Sequence, residues 1–556
     1  MKWAPVLLLL VAVPATFAAT LHPVPQISGL APVSVAPGAS AFTLTVNGAN
    51  FVRGATVQWN GSSRVTTLVS STQLTAKILA TDVATAGTAT IQVVNGASGQ
   101  PVSNMVYFPI VVPITQVGFA QTNTLSVNGD PFVMTTADMN HDGILDLILC
   151  RALSGKVSVL LGQGAGKFGT PKDYLIQGDC ISLVVGDFNG DNNLDVAASN
   201  AFQINVMLGR GDGTLTQPVA YDSGGTDPQV LVTGDFNLDG KLDLAAANFD
   251  TNTISVLLGN GDGTFQAHVD YAVAASPVGL TTADFNQDGI LDLAVANKTS
   301  NEVSVLLGKG DGTFDTPTPF PAGINPACLT AADFNGDGKL DLAVSDLNPI
   351  SFPVSILLGN GDGTFQARKG YPSTATGTPQ VGDINGDGIL DLVLANQLGP
   401  VVLLGKGDGT FQKGTLFSTT SANAVTIADF NGDGRLDLAV GGYASGQVPI
   451  LLQTTVSLTP PSIDFGQVMV GSSSTMMATL SNFGPTDVTL SKIGLSGPNA
   501  KDYKISNTCS TTLTAGSSCT IGVTFTPSAK GGRSATLSVT DTAPGPQTTS
   551  LFGLGT

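Results

Sequence analysis

The sequence predicts an all-β chain: a seven-bladed β-propeller with a β-sandwich domain on either side. Three observations predict it. The phrase Asp-x-Asn-x-Asp-Gly-x-x-Asp recurs seven times with one departure, and the copies start 46 to 50 residues apart at Asp138, Asp187, Asp235, Asp284, Asp333, Asp383 and Asp429. Each period is filled with strand-like patterning, and a strand-built repeat of this length closes into a propeller. Both flanks carry further all-β patterns.

In chain order, residues 1–18 combine one basic residue, Lys2, an apolar Leu7-Leu8-Leu9-Leu10 core and small residues at Thr16 and Ala18. This is the pattern of a secretory signal peptide and is set aside from the fold. Its apolar run is too short to span a bilayer and no later stretch qualifies, so the mature chain is expected to be exported and without a transmembrane segment. Residues 20–112 alternate as strands at 42–46, 57–59 and 88–94 between Gly/Asn turns, with Trp59 expected in their core.

Residues 114–453 hold the repeats. In one period, 265–271 alternates as a strand, 278–283 runs into the repeated phrase, 291–296 leaves it, and 303–307 precedes a Gly308-Lys309-Gly310-Asp311-Gly312 turn, giving four strands. The turn recurs at 209–213, 259–263, 359–363 and 405–409, with a variant at 162–166. Its aspartates, Asp212, Asp262, Asp311, Asp362 and Asp408, read as hairpin-turn formers. The outer strand carries bulky pairs six residues apart: Phe168/Tyr174, Leu215/Tyr221, Phe265/Tyr271, Phe314/Phe320, Phe365/Tyr371 and Phe411/Phe417. An even spacing puts both members on one sheet face. Six outer strands do not complete seven blades. The seventh is expected upstream, at Phe119/Leu125, so that the N-terminal strand completes the last blade and removes the exposed edges.

Chemically the phrase is a calcium loop: oxygen ligands at positions 1, 3, 5 and 9, a main-chain carbonyl near position 7, and a glycine at 6 that lets the chain fold back. The candidate ligands are Asp138, Asn140, Asp142 and Asp146; Asp187, Asn189, Asp191 and Asp195; Asp235, Asn237, Asp239 and Asp243; and Asp284, Asn286, Asp288 and Asp292. The last three loops add Asp333, Asn335, Asp337 and Asp341; Asp383, Asn385, Asp387 and Asp391; and Asp429, Asn431, Asp433 and Asp437. Hard carboxylate and amide oxygens suit calcium, and no Cys or His recurs at these positions to favour zinc or copper. In the second loop Asn192 stands in place of the glycine, which leaves calcium binding there open, although Asn enters left-handed backbone more readily than other non-glycine residues. An EF-hand would need Glu at position 12 and flanking helices. Position 12 of the third copy is Ala246, and the flanks 230–232 and 242–246 are strand-like. A lone copy could be read as an Asp/Asn/Gly surface turn; seven in phase argue against it.

The loops hold 21 of the 41 acidic residues, so up to seven calcium ions would move the formal charge from −18 to about −4. The acidity therefore reads as ion binding, and argues against nucleic acid or an anionic membrane surface as partner.

On these in-phase phrases, residues 114–453 resemble FG-GAP or VCBS-type repeats, the propeller family to which integrin alpha-subunit heads belong. The resemblance implies calcium loops joining strands 1 and 2 on one face and ligand-binding loops on the opposite face. The Asp-x-Ser-x-Ser metal site of an integrin-type inserted domain is absent, so integrin-like ligand chemistry is not implied. Residues 20–112 are similar to an IPT/TIG immunoglobulin-like domain through Gly48-Ala49-Asn50-Phe51, the segment 54–59 and Ser71-Thr72-Gln73-Leu74. Residues 456–556 resemble immunoglobulin-like domains of the HYDIN/choice-of-anchor D kind through Ile463-Asp464-Phe465-Gly466, Val470-Gly471, Cys509 to Cys519 and the segment 521–527. The expected fold is thus a seven-bladed propeller flanked by two immunoglobulin-like β-sandwich domains. Cys509 and Cys519 would close a short disulfide loop, as suits an exported chain. Cys150 and Cys180 either form a second disulfide or remain two buried thiols, and Cys328 reads as a core residue.

The function these readings point to is adhesion or ligand binding by an exported protein, with calcium structural and the partner a cell-surface or extracellular glycan or protein. The face away from the loops offers Phe202, Phe249, Phe352 and Tyr443 with Asn248, Asn297 and Asn396, either as sugar contacts or as packing and turn residues. The alternatives are a polysaccharide lyase or hydrolase, and a spacer whose terminal domains make the contacts. Against an enzyme, the chain has three His (His22, His141, His268), none in a Ser/His/Asp or metal-ligand arrangement. No isolated carboxylate pair suited to acid–base work stands outside the loops and turns, so no catalytic residue is assigned.

Overall fold

A chain patterned with period-2 alternation between glycine-rich turns pairs its backbone as antiparallel sheet. The computed structural model describes residues 22–96, 101–346, 354–371, 377–417, 419, 422–442, 446–460, 462–543 and 547–556. The expected signal peptide at 1–18 lies outside them.

Between residues 118 and 454 the described strands form seven four-stranded antiparallel sheets. Blade 1 is Pro131–Ala137, Asp146–Arg151, Lys156–Leu160 and Lys172–Leu175, and five more blades follow in sequence, ending with strand Thr415–Leu416. The first strands of successive blades lie side by side, and Ala424–Ala428 of blade 7 returns beside Pro131–Ala137 of blade 1. Blade 7 takes Ala424–Ala428, Asp437–Gly441 and Gln447–Thr454 from the end of the repeats and its fourth strand, Gly118–Ser126, from their beginning. That closing ladder runs from Gly118 opposite Thr454 to Ser126 opposite Gln447. The N-terminal strand thus completes the last blade, as its Phe119/Leu125 spacing predicts.

Second strands are covered on both sides by neighbouring blades, so every residue of Asp243–Asn248, Asp292–Asn297 and Asp341–Asp346 is buried. The outer-strand aromatics interlock between blades. Phe265 of blade 3 meets Phe188 and Tyr221 of blade 2 edge-on, with centroids 5.6 and 5.5 Å apart. Phe314, Phe365 and Phe411 repeat this contact with the blade before each. The ring closes the same way, through Phe168 with Phe430 and Phe119 with Phe417. Each such pair is worth about 1 kcal/mol beyond its buried area.

The flanks are two-sheet, immunoglobulin-like sandwiches. The N-terminal one packs around Trp59, 1% exposed and 5.2 Å from the Phe108 ring. The C-terminal one joins a four-stranded and a five-stranded sheet around Phe465, Tyr503 and Phe525. The N-terminal sandwich rests on the propeller end that carries the links between first and second strands, where Val24 N–H donates to Asp235 and Thr88 Oγ1 to Asp429. Among the described residues no helix is long and apolar enough to cross a membrane.

Both candidate cysteine pairs are bonded. Cys509–Cys519 closes a short loop in the C-terminal sandwich, and Cys150–Cys180 ties the second strand of blade 1 to the approach of blade 2's first strand. Cys328 is a free, half-buried thiol. A Cys150→Ser/Cys180→Ser variant is expected to lose roughly 3 kcal/mol of stability on the chain-entropy picture for a loop of this size, read as a lower denaturant midpoint with an unchanged far-UV spectrum.

Candidate metal centres

Each repeated phrase links the first and second strands of a blade, with strand on both sides and no helix. In the third loop Asp239 N–H donates to Asp235 Oδ1 and to Asn237 Oδ1, both at 3.1 Å, and Gly240 N–H to Asp235 Oδ2 at 2.9 Å. Two side-chain oxygens that accept from one N–H are drawn together, so positions 1 and 3 converge. Position 5 joins them: in the fourth loop Asn286 Nδ2 donates to Asp288 Oδ2 at 2.8 Å. The same bonds gather Asp138 with Asn140, Asp284 with Asn286, Asp333 with Asn335, Asp383 with Asn385 and Asp429 with Asn431. The fold-back needs left-handed backbone at position 6, and Gly240 sits at φ +82°. Asn192 adopts φ +65° in the second loop and still donates to Asp187 Oδ2 at 2.8 Å, so Asp187, Asn189 and Asp191 are arranged as elsewhere.

The ninth-position aspartates take a different place. Asp243 is fully buried; its Oδ2 accepts from Phe236 N–H at 2.8 Å and its Oδ1 from Gly259 N–H at 2.7 Å. Asp146, Asp195, Asp292, Asp341 and Asp391 make the equivalent pair of bonds, and Asp437 makes them with Phe430 and Gln453. Positions 1, 3 and 5 are therefore gathered by the loop, whereas position 9 is anchored beneath it by backbone donors.

Electrostatics couples the two groups. Burial above all, with Asp235 and Asp239 adding repulsion against the two N–H bonds, pushes the Asp243 carboxyl up to about 7. Asp195, Asp292 and Asp341 are likewise pushed to about 7 and Asp391 to about 8, while burial lifts Asp235 and Asp284 to about 6. Desolvated carboxylates crowded in this way favour a cation that restores their ionisation. The donors are oxygens only, and each ninth-position oxygen keeps a second lone pair, so the set fits a hard cation such as calcium. Among the described residues no three Asp, Glu, His or Cys side chains make up a metal-holding group by themselves; the loop set depends on the Asn amide and main-chain oxygens as well.

One feature of the loops had no counterpart in the sequence reading. The carbonyl at position 2 accepts a hydrogen bond from the next blade's glycine turn: Gly213 to Met139, Gly263 to Phe188, Gly312 to Phe236, Gly363 to Phe285 and Gly409 to Phe334, at 3.0 to 3.2 Å. Gly166 of blade 1 donates to Phe430 of blade 7 at 2.9 Å. Blade 7 has no such turn, and there Gln453 Nε2 reaches Ile384 O at 2.7 Å instead. The fixed offset of the turn's last glycine was the available signal. The turn aspartates themselves cap the hairpins, as Asp262 does by accepting from Thr264 N–H at 2.9 Å.

Family comparisons agree with this geometry. A profile described as FG-GAP-like repeat matches residues 138–198, 187–246, 235–295, 284–344 and 383–440. A second, IPT/TIG domain, matches 25–110, and a third, Abnormal spindle-like microcephaly-associated ASPM-SPD-2-Hydin (ASH), matches 453–548. The chain is made of FG-GAP-like repeats between a TIG domain and an ASH domain. No curated protein matches it. Among solved structures it is similar to an Agrocybe aegerita lectin that recognises non-reducing terminal N-acetylglucosamine, at 18% identity over 60% of this chain and 90% of that one, TM-score 0.39. It is similar to BBS1N in complex with ARL6DN at 13% identity over 60% and 96%, TM-score 0.43, and to PapD-like domain 7 of human CEP192 at 20% identity over 18% and 86%, TM-score 0.15. Likenesses this distant carry no weight for function.

On the face of the FG-GAP propeller away from the loops, the structure decides between the two readings of the three asparagines in favour of packing. Asn248 and Asn297 are fully buried and donate to Ser255 Oγ at 2.7 Å and Ser304 Oγ at 2.8 Å, so they brace their blades. Asn396 is also buried, accepting from Leu398 N–H at 2.8 Å. Phe202 is 69% exposed and Phe249 half-buried, while Phe352 and Tyr443 lie outside the described residues. His268 approaches Asp270 Oδ1 at 2.9 Å, but Ser255 donates to that same oxygen and not to the imidazole, which is not the order of a nucleophile and its base.

Asn200, Asn248, Asn297 and Asn396 all stand five residues after a ninth-position aspartate, and in blade 5 that place is held by Asp346. Burial pushes the Asp346 carboxyl up to about 6. A folded-state value above the unfolded one means that stability falls as pH rises from about 4 to about 6. Asp346→Asn is therefore expected to leave stability unchanged near pH 4 and to raise it by roughly 2 kcal/mol above about pH 7, measured by urea unfolding at both.

Proposed function

We propose that this chain is an exported, calcium-loaded propeller that serves adhesion or ligand binding, with calcium holding the ring and taking no part in catalysis. FG-GAP-like repeats suggest a binding or adhesion role. The observation that carries the calcium reading is the loop geometry, in which side-chain oxygens of positions 1 and 3 close on a single N–H above a buried carboxylate. The first, third, fifth and ninth side chains of each loop, with the carbonyl near the seventh, would hold the ion. Bound calcium neutralises carboxylates that otherwise repel. Extracellular modules bind calcium with dissociation constants of ~0.1 to 1 mM, so at millimolar calcium each loop contributes about 1 kcal/mol. The leader-like residues 1–18 and the two disulfides support export.

The ligand reading places the partner on the face opposite the loops, because the TIG domain sits over the loop face. There the links between second and third strands expose Leu153, Phe202 and Leu398 at 60% or more, apolar groups that suit stacking on a sugar or contact with a protein.

Two measurements test this. The melting temperature in EDTA is expected to fall well below that in millimolar calcium; equal values reject structural calcium. The full chain is expected to bind at least one member of an immobilised polysaccharide panel without cleaving it, and Phe202→Ala to weaken that binding about tenfold with unchanged melting. Turnover of the panel would move the protein to the enzyme class.

A further inference from the structure

The seven loops are not equally open. Val24 N–H donates to Asp235 Oδ2 at 2.7 Å, Ser34 Oγ to Asp383 Oδ2 at 2.5 Å, and Thr88 Oγ1 to Asp429 Oδ2 at 2.7 Å. The three donors belong to the TIG domain and its N-terminal lead, and the three acceptors are first-position aspartates of the third, sixth and seventh loops. The fourth loop is met through backbone: Asn50 N–H donates to Gly289 O at 3.2 Å, and a Cβ on Gly289 would stand 2.5 Å from Ser71 Oγ. This seat is built from within the TIG domain. Buried Asn50 donates to Val24 O at 3.0 Å, and buried Asn95 donates to Pro23 O at 2.8 Å and Asn50 O at 2.6 Å, so the segment that reaches Asp235 is held in place. The first, second and fifth loops are different: among the described residues no hydrogen bond joins any of them to the TIG domain, although Tyr107 of that domain lies near enough to the first for Asp138 and Asp146 to add to the burial that pushes its phenol up. In the second, a Cβ on Gly190 would have as its nearest neighbour Gly261 O of the propeller itself, at 4.0 Å.

The choice of oxygen carries the argument. In every loop the Oδ1 of the first aspartate accepts the position-5 N–H and Oδ2 the position-6 N–H, as Asp383 does from Asp387 and Gly388. The TIG donor is a second partner for Oδ2; on Asp235 this fills that oxygen's lone pairs and leaves one free on Oδ1, whereas Asp429 Oδ1 also accepts from Gly432 N–H at 2.7 Å. At Asp235 cap and cation then use different oxygens of one carboxylate, and both hold it in one orientation. Two ligands that favour the same state of a group bind each other's form more tightly, by the same factor in each direction.

We infer that the TIG domain is a lock on the propeller's ions: its docking closes the third, fourth, sixth and seventh loops, and ions in those loops hold it docked. This rests on the calcium reading above. Four ions leave only when the domain lifts, and three exchange freely with solvent.

The test is calcium release from the fully loaded chain into excess fluorescent chelator, followed by stopped flow. Two phases are expected, with four ions in the slow one and three in the fast. Ser34→Ala with Thr88→Val removes two donors from the cap and touches no loop residue; it is expected to speed the slow phase about tenfold while the fast phase and total calcium stay constant. Thr88→Val alone, expected to speed the whole slow phase by a smaller factor, serves if the double variant folds poorly. A single phase, or slow release indifferent to both variants, overturns the lock while leaving structural calcium standing. If no calcium is released from either chain, the calcium reading fails first.

Discussion

The buried aspartate at the ninth position of each repeat is the constraint on which the propeller depends. An ionisable carboxyl taken out of water costs several kcal/mol unless its lone pairs are met. Here both oxygens are met by backbone N–H groups from separate places, position 2 of the loop and the head of the hairpin sixteen or so residues on. A single side chain thereby fixes loop and hairpin to each other. In blades 2 to 5 and 7 the phenylalanine that donates from position 2 hands its carbonyl to the next blade's turn and its ring to the next blade's phenylalanine. The order within one blade is passed round the ring by the same few atoms.

Exceptions to the repeat show which parts of this scheme are necessary. Where the second loop lacks glycine, Asn192 supplies the same left-handed backbone and the same N–H. Where blade 7 lacks a glycine turn, Gln453 supplies both missing bonds, its N–H to Asp437 and its side-chain amide to Ile384. The chemistry is kept while the residue changes. Arg151 and Asp346 occupy the bracing position that is asparagine in four other blades. Both are buried, which makes them costlier solutions to the same geometric need.

Periodicity made the blade count and the closing strand legible, because a missing outer strand leaves an arithmetic gap that Phe119/Leu125 fills. The convergence of positions 1, 3 and 5 within each loop was legible from residue type and spacing. The separate position of the ninth aspartate was not, since a carboxylate that receives backbone N–H groups and one that faces an ion look alike in sequence. Asn248 and Asn297 were placed on the correct end of the propeller, but sequence left open whether they meet a sugar or pack; their burial comes from neighbouring blades covering both faces of the second strand, which no local pattern records. The TIG seat was invisible for a different reason: its contacts use the N–H groups of Val24 and Asn50, which every residue but proline possesses, and the hydroxyls of Ser34 and Thr88, which nothing in the local pattern sets apart from other Ser and Thr. Cys150 and Cys180 could be placed near the same end of adjacent blades but not paired, because pairing depends on how closely those blades stack.

The seam of the ring is also where the chain enters and leaves. The TIG domain leads into Gly118 and the ASH domain follows Thr454, and these two residues face each other at one end of the closing ladder. Tension applied across the two flanking domains arrives at that end and acts along the direction of the rungs, perpendicular to the strands. The rungs are loaded singly, as in unzipping, and not together, as in shear. A molecule tethered at one flank and pulled at the other yields first at blade 7, with blades 1 to 6 still folded behind it.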